Sequence, residues 1–268
     1  MKCLLMNQCP LLNLGICFKY PEYIDLSSKR GYGCLFAHVL KVIEIWDSIK
    51  KCYLSQLRRI ISRCLYGNIT NRNEIDDLVK VMLILHDYGK AAEEYYRPDE
   101  RFRYFHETLS AAIVFKVLEN YDELVASIIA STVLLHHEHR IYEILYRTGY
   151  TSFNDVVIRE LLGNILKINV NQEANQSFKK ILQKNIDSID LNMNSFLTCY
   201  SQSILKEVLD RIIRKILARP ILSWTCVGAL NHVLIISDIR AAYALRKSIK
   251  NKISRYFNTI LHGGRFCP

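Results

Sequence analysis

Residues 75–90 read IDDLVKVMLILHDYGK, and the fold follows from how that stretch is buried. Leu78, Val79, Met82 and Leu83 recur at the spacing of one helical face. Glu74, Asp76 and Asp77 fill the first turn, where carboxylates meet the positive end of the helix dipole, and Asn73 is placed to cap it. The run from Val81 to Leu85 is apolar throughout, so the helix closes inside the molecule and delivers His86 and Asp87 to its interior. A buried carboxylate beside an apolar run is costly without a positive partner, so Asp87 needs a divalent cation or Lys90. Gly89 allows the sharp exit that turns Lys90 back towards the doublet. The alternative reading is an ordinary helix end with polar residues and a C′ glycine.

Outward from that helix, the same period recurs. Leu35, Val42, Ile45 and Ile49 share a stripe with His38. A third helix opens near His106 and carries Leu109, Ala112, Ile113 and Val117; a fourth runs from Leu124 to about His137. Residues 140–194 are rich in Asn, Gln and Asp and read as a looser helical insertion. Helices over Gln202–Leu217 and from Pro220 to about Lys250 follow, with Pro220 in a first-turn position where its missing N–H leaves nothing unpaired. No stretch alternates with period two for long enough to build a substantial sheet. The expected class is all-α, with a short irregular or β-containing N-terminal segment at 1–30, a variable insertion at about 140–200 and a basic tail at about 246–268, within a single domain over 1–268.

The charge balance is 36 Lys and Arg against 26 Asp and Glu, a net of +10, which favours a polyanionic partner over a small acidic metabolite. The nine cysteines include no C-x-x-C pair and read as reduced, buried small hydrophobes in a cytoplasmic protein. The apolar start, Met1 to Tyr20, is broken by Asn7, Gln8, Pro10 and Asn13 and does not read as a signal peptide. Ile221 to Ile239 is apolar enough to suggest a membrane span, yet it holds Asn231, His232 and Asp238, so a buried core helix and no membrane partner are expected.

The chemistry concentrates in histidines. His136 and His137 end the fourth helix, His106 opens the third in Phe105-His106-Glu107-Thr108-Leu109-Ser110-Ala111, and Asp238 sits on a stripe with Val227, Leu234, Ala241 and Leu245. Any one of these histidines alone is ordinarily a satisfied core residue; the set carries the case. Asp238 needs a partner, whether a metal, Arg240 or a backbone amide.

The ordered series His38, His86-Asp87, His106, His136-His137, Asp238 resembles the HD metal-dependent phosphohydrolase superfamily. More narrowly, H-D-x-G-K at 86–90, H-E-x-x-S-A at 106–111 and the doublet at 136–137 resemble the HD nuclease of type I CRISPR interference. The match covers roughly 30–140 and 225–245. No GxxxxGK[ST] loop is present, so the chain is similar to the stand-alone nuclease subunit, whose superfamily 2 helicase is a separate polypeptide. The resemblance implies a helical protein with one or two divalent transition metals, Mn, Co, Ni or Fe rather than Mg. It also implies hydrolysis of single-stranded DNA, with RNA a further substrate, alongside an RNA-guided surveillance complex. By position, His38, His86, Asp87 and Asp238 would hold one metal. Asp87 would bridge to a second held by His106, His136 and His137, and Lys90 would contact the scissile phosphate.

Basic clusters fit such a substrate: Arg58, Arg59 and Arg63; Arg211, Arg214, Lys215 and Arg219; Arg246, Lys247, Lys250, Lys252 and Arg255. The polar, aromatic region from Glu93 to Tyr104, with Arg97, Arg101 and Arg103, is the expected substrate-facing loop. Two other functions remain open: a phosphohydrolase acting on nucleotides or cyclic dinucleotides, and a catalytically inactive nucleic-acid-binding subunit.

Overall fold

The computed structural model describes residues 35–64, 71–96, 105–137, 166–217 and 220–246. Among these, α1 spans Leu35–Cys64, α2 Arg72–Leu85, α3 Phe105–Leu118 and α4 Glu123–Leu134. After a further stretch come β1 (Lys167–Asn169), α5 (Gln172–Asn185), β2 (Cys199–Ser201), α6 (Gln202–Leu217) and α7 (Pro220–Arg246). The all-α expectation holds, and helix positions follow the apolar periods closely, down to Pro220 as the first residue of α7.

The caps explain where the helices begin. Asp122 accepts from Leu124 N and Val125 N at 2.8 and 2.9 Å to start α4, and Asn171 does the same for α5. For α2 the cap is Asn71, two residues earlier than expected, because Asn73 is already inside the helix and donates its N–H to the Asn71 side chain.

α2 is the axis of the core. Val81, Met82, Leu83, Ile84 and Leu85 are fully buried, with α1, α3 and α4 against it. α3 and α4 pack on each other, and α7 lies against α1 and α4. Side chains tie these layers together. Asp76 of α2 accepts from Trp46 Nε1 at 2.7 Å and pairs with Lys50 Nζ at 3.0 Å, both from α1. α7 is long and apolar enough to cross a membrane by length and composition alone, but half of its apolar window is buried within the fold.

Two expectations change. Residues 166–201 form more than a loose helical insertion: β1 and β2 make an antiparallel ribbon, Ile168 opposite Tyr200, around a well-capped α5. The ribbon was not legible because each strand is only three residues long, too short for a period to register. The cysteines are not all reduced. Cys64 at the end of α1 is bonded to Cys226 of α7, across a sequence separation of 162, and Cys52 is also disulfide-bonded. The packing of α1 on α7 brings the two sulfurs together, a proximity that sequence spacing does not encode. The N-terminal segment expected at 1–30 and the tail beyond Arg246 lie outside the described residues.

Candidate metal centre

Five pieces of chain deliver their polar side chains to one place in the core. α1 supplies His38 and the end of α2 supplies His86 with Asp87. The start of α3 supplies His106, the turn after α4 supplies His136 and His137, and α7 supplies Asp238. Two groups of potential ligands result: His38, His86 and Asp238 in one, and Asp87, His106, His136 and His137 in the other. Within each group the donor atoms all lie within 4.8 Å of one another.

Asp87 stands between them, and its two oxygens face opposite ways. Oδ2 is 3.4 Å from His86 Nε2 and 3.7 Å from His38 Nε2. Oδ1 is 3.6 Å from His106 Nε2 and 3.7 Å from His136 Nε2. Asp238 Oδ1 completes the first group at 2.9 Å from His38 Nε2 and 3.8 Å from His86 Nε2. Lys90 Nζ donates to Asp87 Oδ2 at 2.8 Å, so the buried carboxylate has the positive partner its burial demands.

The ring nitrogens are oriented from behind. His86 Nδ1 lies 2.8 Å from the Leu83 carbonyl and His136 Nδ1 2.5 Å from the Val133 carbonyl. Donation to those carbonyls places the proton on Nδ1 and leaves the Nε2 lone pair aimed into the centre. Electrostatics separates the imidazoles: burial opposes protonation of His86, but Asp87 and Asp238 outweigh it and raise its pKa. Burial pushes the His137 imidazole down to about 3, with His136 adding to the shift. Burial and the Lys90 ammonium likewise push His106 well below the usual range. Burial opposes ionisation of Asp87, but Lys90 and His86 outweigh it and hold the carboxyl well below its ordinary value. For Asp238, His38 and His86 outweigh burial in the same direction. At neutral pH the centre therefore offers two carboxylates and at least two neutral imidazoles.

Those donors fit a metal. His86 Nε2, His106 Nε2, His136 Nε2 and Asp87 Oδ1 are buried without a hydrogen-bond partner, a cost that a divalent cation would remove. A set of five imidazoles and two carboxylates suits borderline transition ions better than the all-oxygen shell magnesium prefers.

The supporting structure was only partly legible. Gly89 matters for proximity: a Cβ there would lie 2.2 Å from the His106 carbonyl oxygen and 2.3 Å from its Cα. Gly89 N donates to Ser110 Oγ at 2.8 Å, locking the turn after the doublet to α3. Glu107 Oε2 lies 3.1 Å from His106 Nδ1. Ser110 and Glu107 sit in the quoted H-E-x-x-S-A element, which was the available signal, but spacing alone gave them no role. Beyond the turn, Glu94 accepts from Asn169 N and Nδ2 at 2.9 and 3.1 Å, and Ala92 bridges Val170. Tyr88 donates to Asn175 Oδ1 and lies 3.3 Å from the Tyr200 hydroxyl. The ribbon and α5 thus brace the segment that follows the doublet.

All seven expected ligands and Lys90 converge, while Arg97, Arg101 and Arg103 lie outside the described residues. Of the basic clusters, the one on α6 is largely committed elsewhere. Arg211 pairs with Glu119 and Glu123, both at 2.9 Å, and lies over the Phe115 ring; Lys215 pairs with Glu123 at 2.9 Å. Their charge pins α6 to α3 and α4. Arg58 and Arg59 are exposed on α1.

A family model described as HD domain matches residues 35–191. Over 120 residues the chain is 31% identical to a Pyrococcus furiosus protein described as CRISPR-associated endonuclease Cas3-HD, covering 42% of this chain and 50% of that one. Over 112 residues it is 32% identical to a Methanocaldococcus jannaschii protein of the same description, covering 39% and 45%. The chain thus spans half or less of the length of these curated relatives. Among solved structures, the CRISPR-associated Cas3 HD domain protein from M. jannaschii superposes with a TM-score of 0.54 at 23% identity, over 76% of this chain and 94% of that one. That likeness is one of fold.

Proposed function

The chain belongs to the HD-domain family, and on that premise we propose that it is a metal-dependent nuclease hydrolysing phosphodiester bonds of single-stranded DNA, RNA being the second substrate to test. The observation that carries the reading is the two-faced Asp87 carboxylate, with one oxygen towards each donor group. The relatives described as CRISPR-associated endonucleases support a CRISPR setting; in this reading it is a type I interference system in the cytoplasm. A superfamily 2 helicase and an RNA-guided complex are the partners that this reading implies.

In this reading His38, His86, Asp87 and Asp238 hold one divalent ion, and Asp87, His106, His136 and His137 hold another. When bound, such a pair supplies charge stabilisation of phosphate oxygens and a water acidic enough to attack near neutral pH. The rest falls to the chain. The Leu83 and Val133 carbonyls keep the His86 and His136 lone pairs aimed inward. Lys90 supplies a positive charge for the scissile phosphate once Asp87 is neutralised by other cations. The apolar walls of α2 and α3 keep bulk water from screening these charges. The net charge of +10 favours a polyanionic strand over a mononucleotide.

The deciding experiment offers single-stranded DNA, duplex DNA, RNA and nucleotides to purified protein with Mn, Co, Ni or Mg. Cleavage of single strands with the transition ions is expected. Turnover of nucleotides alone would transfer the chain to small-molecule phosphohydrolysis, and no turnover with any ion would favour a binding subunit.

A further inference from the structure

We propose that the two halves of the centre fill in a fixed order, the tri-histidine half first, and that Lys90 is the built-in cation that holds the other half back. The inference rests on the metal-centre reading above and deepens it.

The halves are chemically unequal. In the tri-histidine half, His106 Nε2, His136 Nε2 and Asp87 Oδ1 are buried and carry no hydrogen bond. These atoms have already lost their water, so an entering cation displaces no protein contact from them. In the other half the carboxylates are engaged. Asp238 Oδ1 meets His38 Nε2 at 2.9 Å, and Asp87 Oδ2 accepts from Lys90 Nζ at 2.8 Å. Only His86 Nε2 is without a partner there. A cation entering that half must displace both contacts and sit close to an ammonium that is itself nearly excluded from solvent, its side chain 9% exposed. The Lys90 charge is also felt at His106, but its hydrogen bond is to the Asp87 oxygen that faces the other half, so filling the first half leaves that contact in place.

The test is calorimetric titration of metal-free, full-length protein with Mn2+, paralleled by Co2+ visible absorption. Two binding steps are expected, separated by at least about tenfold in affinity. His137→Ala should remove or weaken the tighter step by about 10- to 100-fold, while Asp238→Asn should spare it and suppress the weaker one. Lys90→Met should strengthen the weaker step by about tenfold or more and narrow the gap. Lys90→Gln, which keeps an N–H donor for Asp87 without the charge, should act in the same direction if the methionine variant does not fold. Loss of the tighter step in Asp238→Asn, or an unchanged gap in both folded Lys90 variants, overturns the order. Two equal steps in the wild type also overturn it while leaving the metal centre standing. No binding of either ion removes both.

Discussion

Asp238 Oδ1 lies 2.9 Å from His38 Nε2, although one residue sits near the start of α1 and the other deep in α7. The contact closes the circle of helices: the first and last described elements meet at the same point as α2, α3 and α4. Substitutions at this junction therefore read both the chemistry and the packing.

Asp87→Asn keeps the volume and one acceptor oxygen but removes the charge shared by the two donor groups. Hydrolysis is expected to fall by at least about 100-fold. Far-ultraviolet circular dichroism should remain that of a helical protein. Full activity in this variant would end the site assignment.

Gly89→Ala would push a methyl group into the backbone of His106, where no flexible side chain can yield. Overpacking of this kind costs about 1–3 kcal/mol, and the displaced α3 start moves His106 from its group. Denaturant midpoints measure the first effect and metal stoichiometry the second. Wild-type values for both would show that the turn can relax.

Asp76 governs an acid limb. Burial opposes its ionisation, but Lys50, Trp46 and Lys80 outweigh it and lower its pKa from 3.8. A depressed acid contributes stability above its unfolded value and loses it as pH falls through the folded one. Stability should therefore decline below about pH 3.8 partly through this group. In Asp76→Asn that decline flattens, with a loss at neutral pH of about 1 kcal/mol after allowing for solvent screening. Urea titrations at several pH values check the slope.

Cys226→Ser releases the covalent tie between α1 and α7. Removal of a bridge closing so long a loop should cost about 2–5 kcal/mol. The comparison is thermal unfolding of variant and parent without reductant; adding dithiothreitol should move the parent towards the variant. Coincident curves would mean that the thiols are unbonded in solution.

Much of this centre could be read from the sequence because a helix converts spacing into direction. His38, His86 and Asp238 each fall on an apolar stripe, so burial of the stripe carries them inward together. What stayed hidden depends on pairings between distant segments. The bridge from Cys64 to Cys226 and the ribbon of Ile168 with Tyr200 leave no periodic trace. The α6 basic cluster reads as a nucleic-acid patch until Glu119 and Glu123 are seen to claim Arg211 and Lys215. Gly89 reads in the sequence as the residue that allows a sharp exit, but the need for glycine comes from the closeness of the His106 backbone.

The contacts of the Tyr88 hydroxyl with Asn175 and Tyr200 have a practical consequence for anyone trimming the chain to a minimal catalyst. Excising the ribbon and α5 as an accessory would strand the phenol of Tyr88, one residue from the Asp87 carboxylate, with neither of these companions. The stretch that reads in the sequence as an insertion is, in this molecule, part of the foundation.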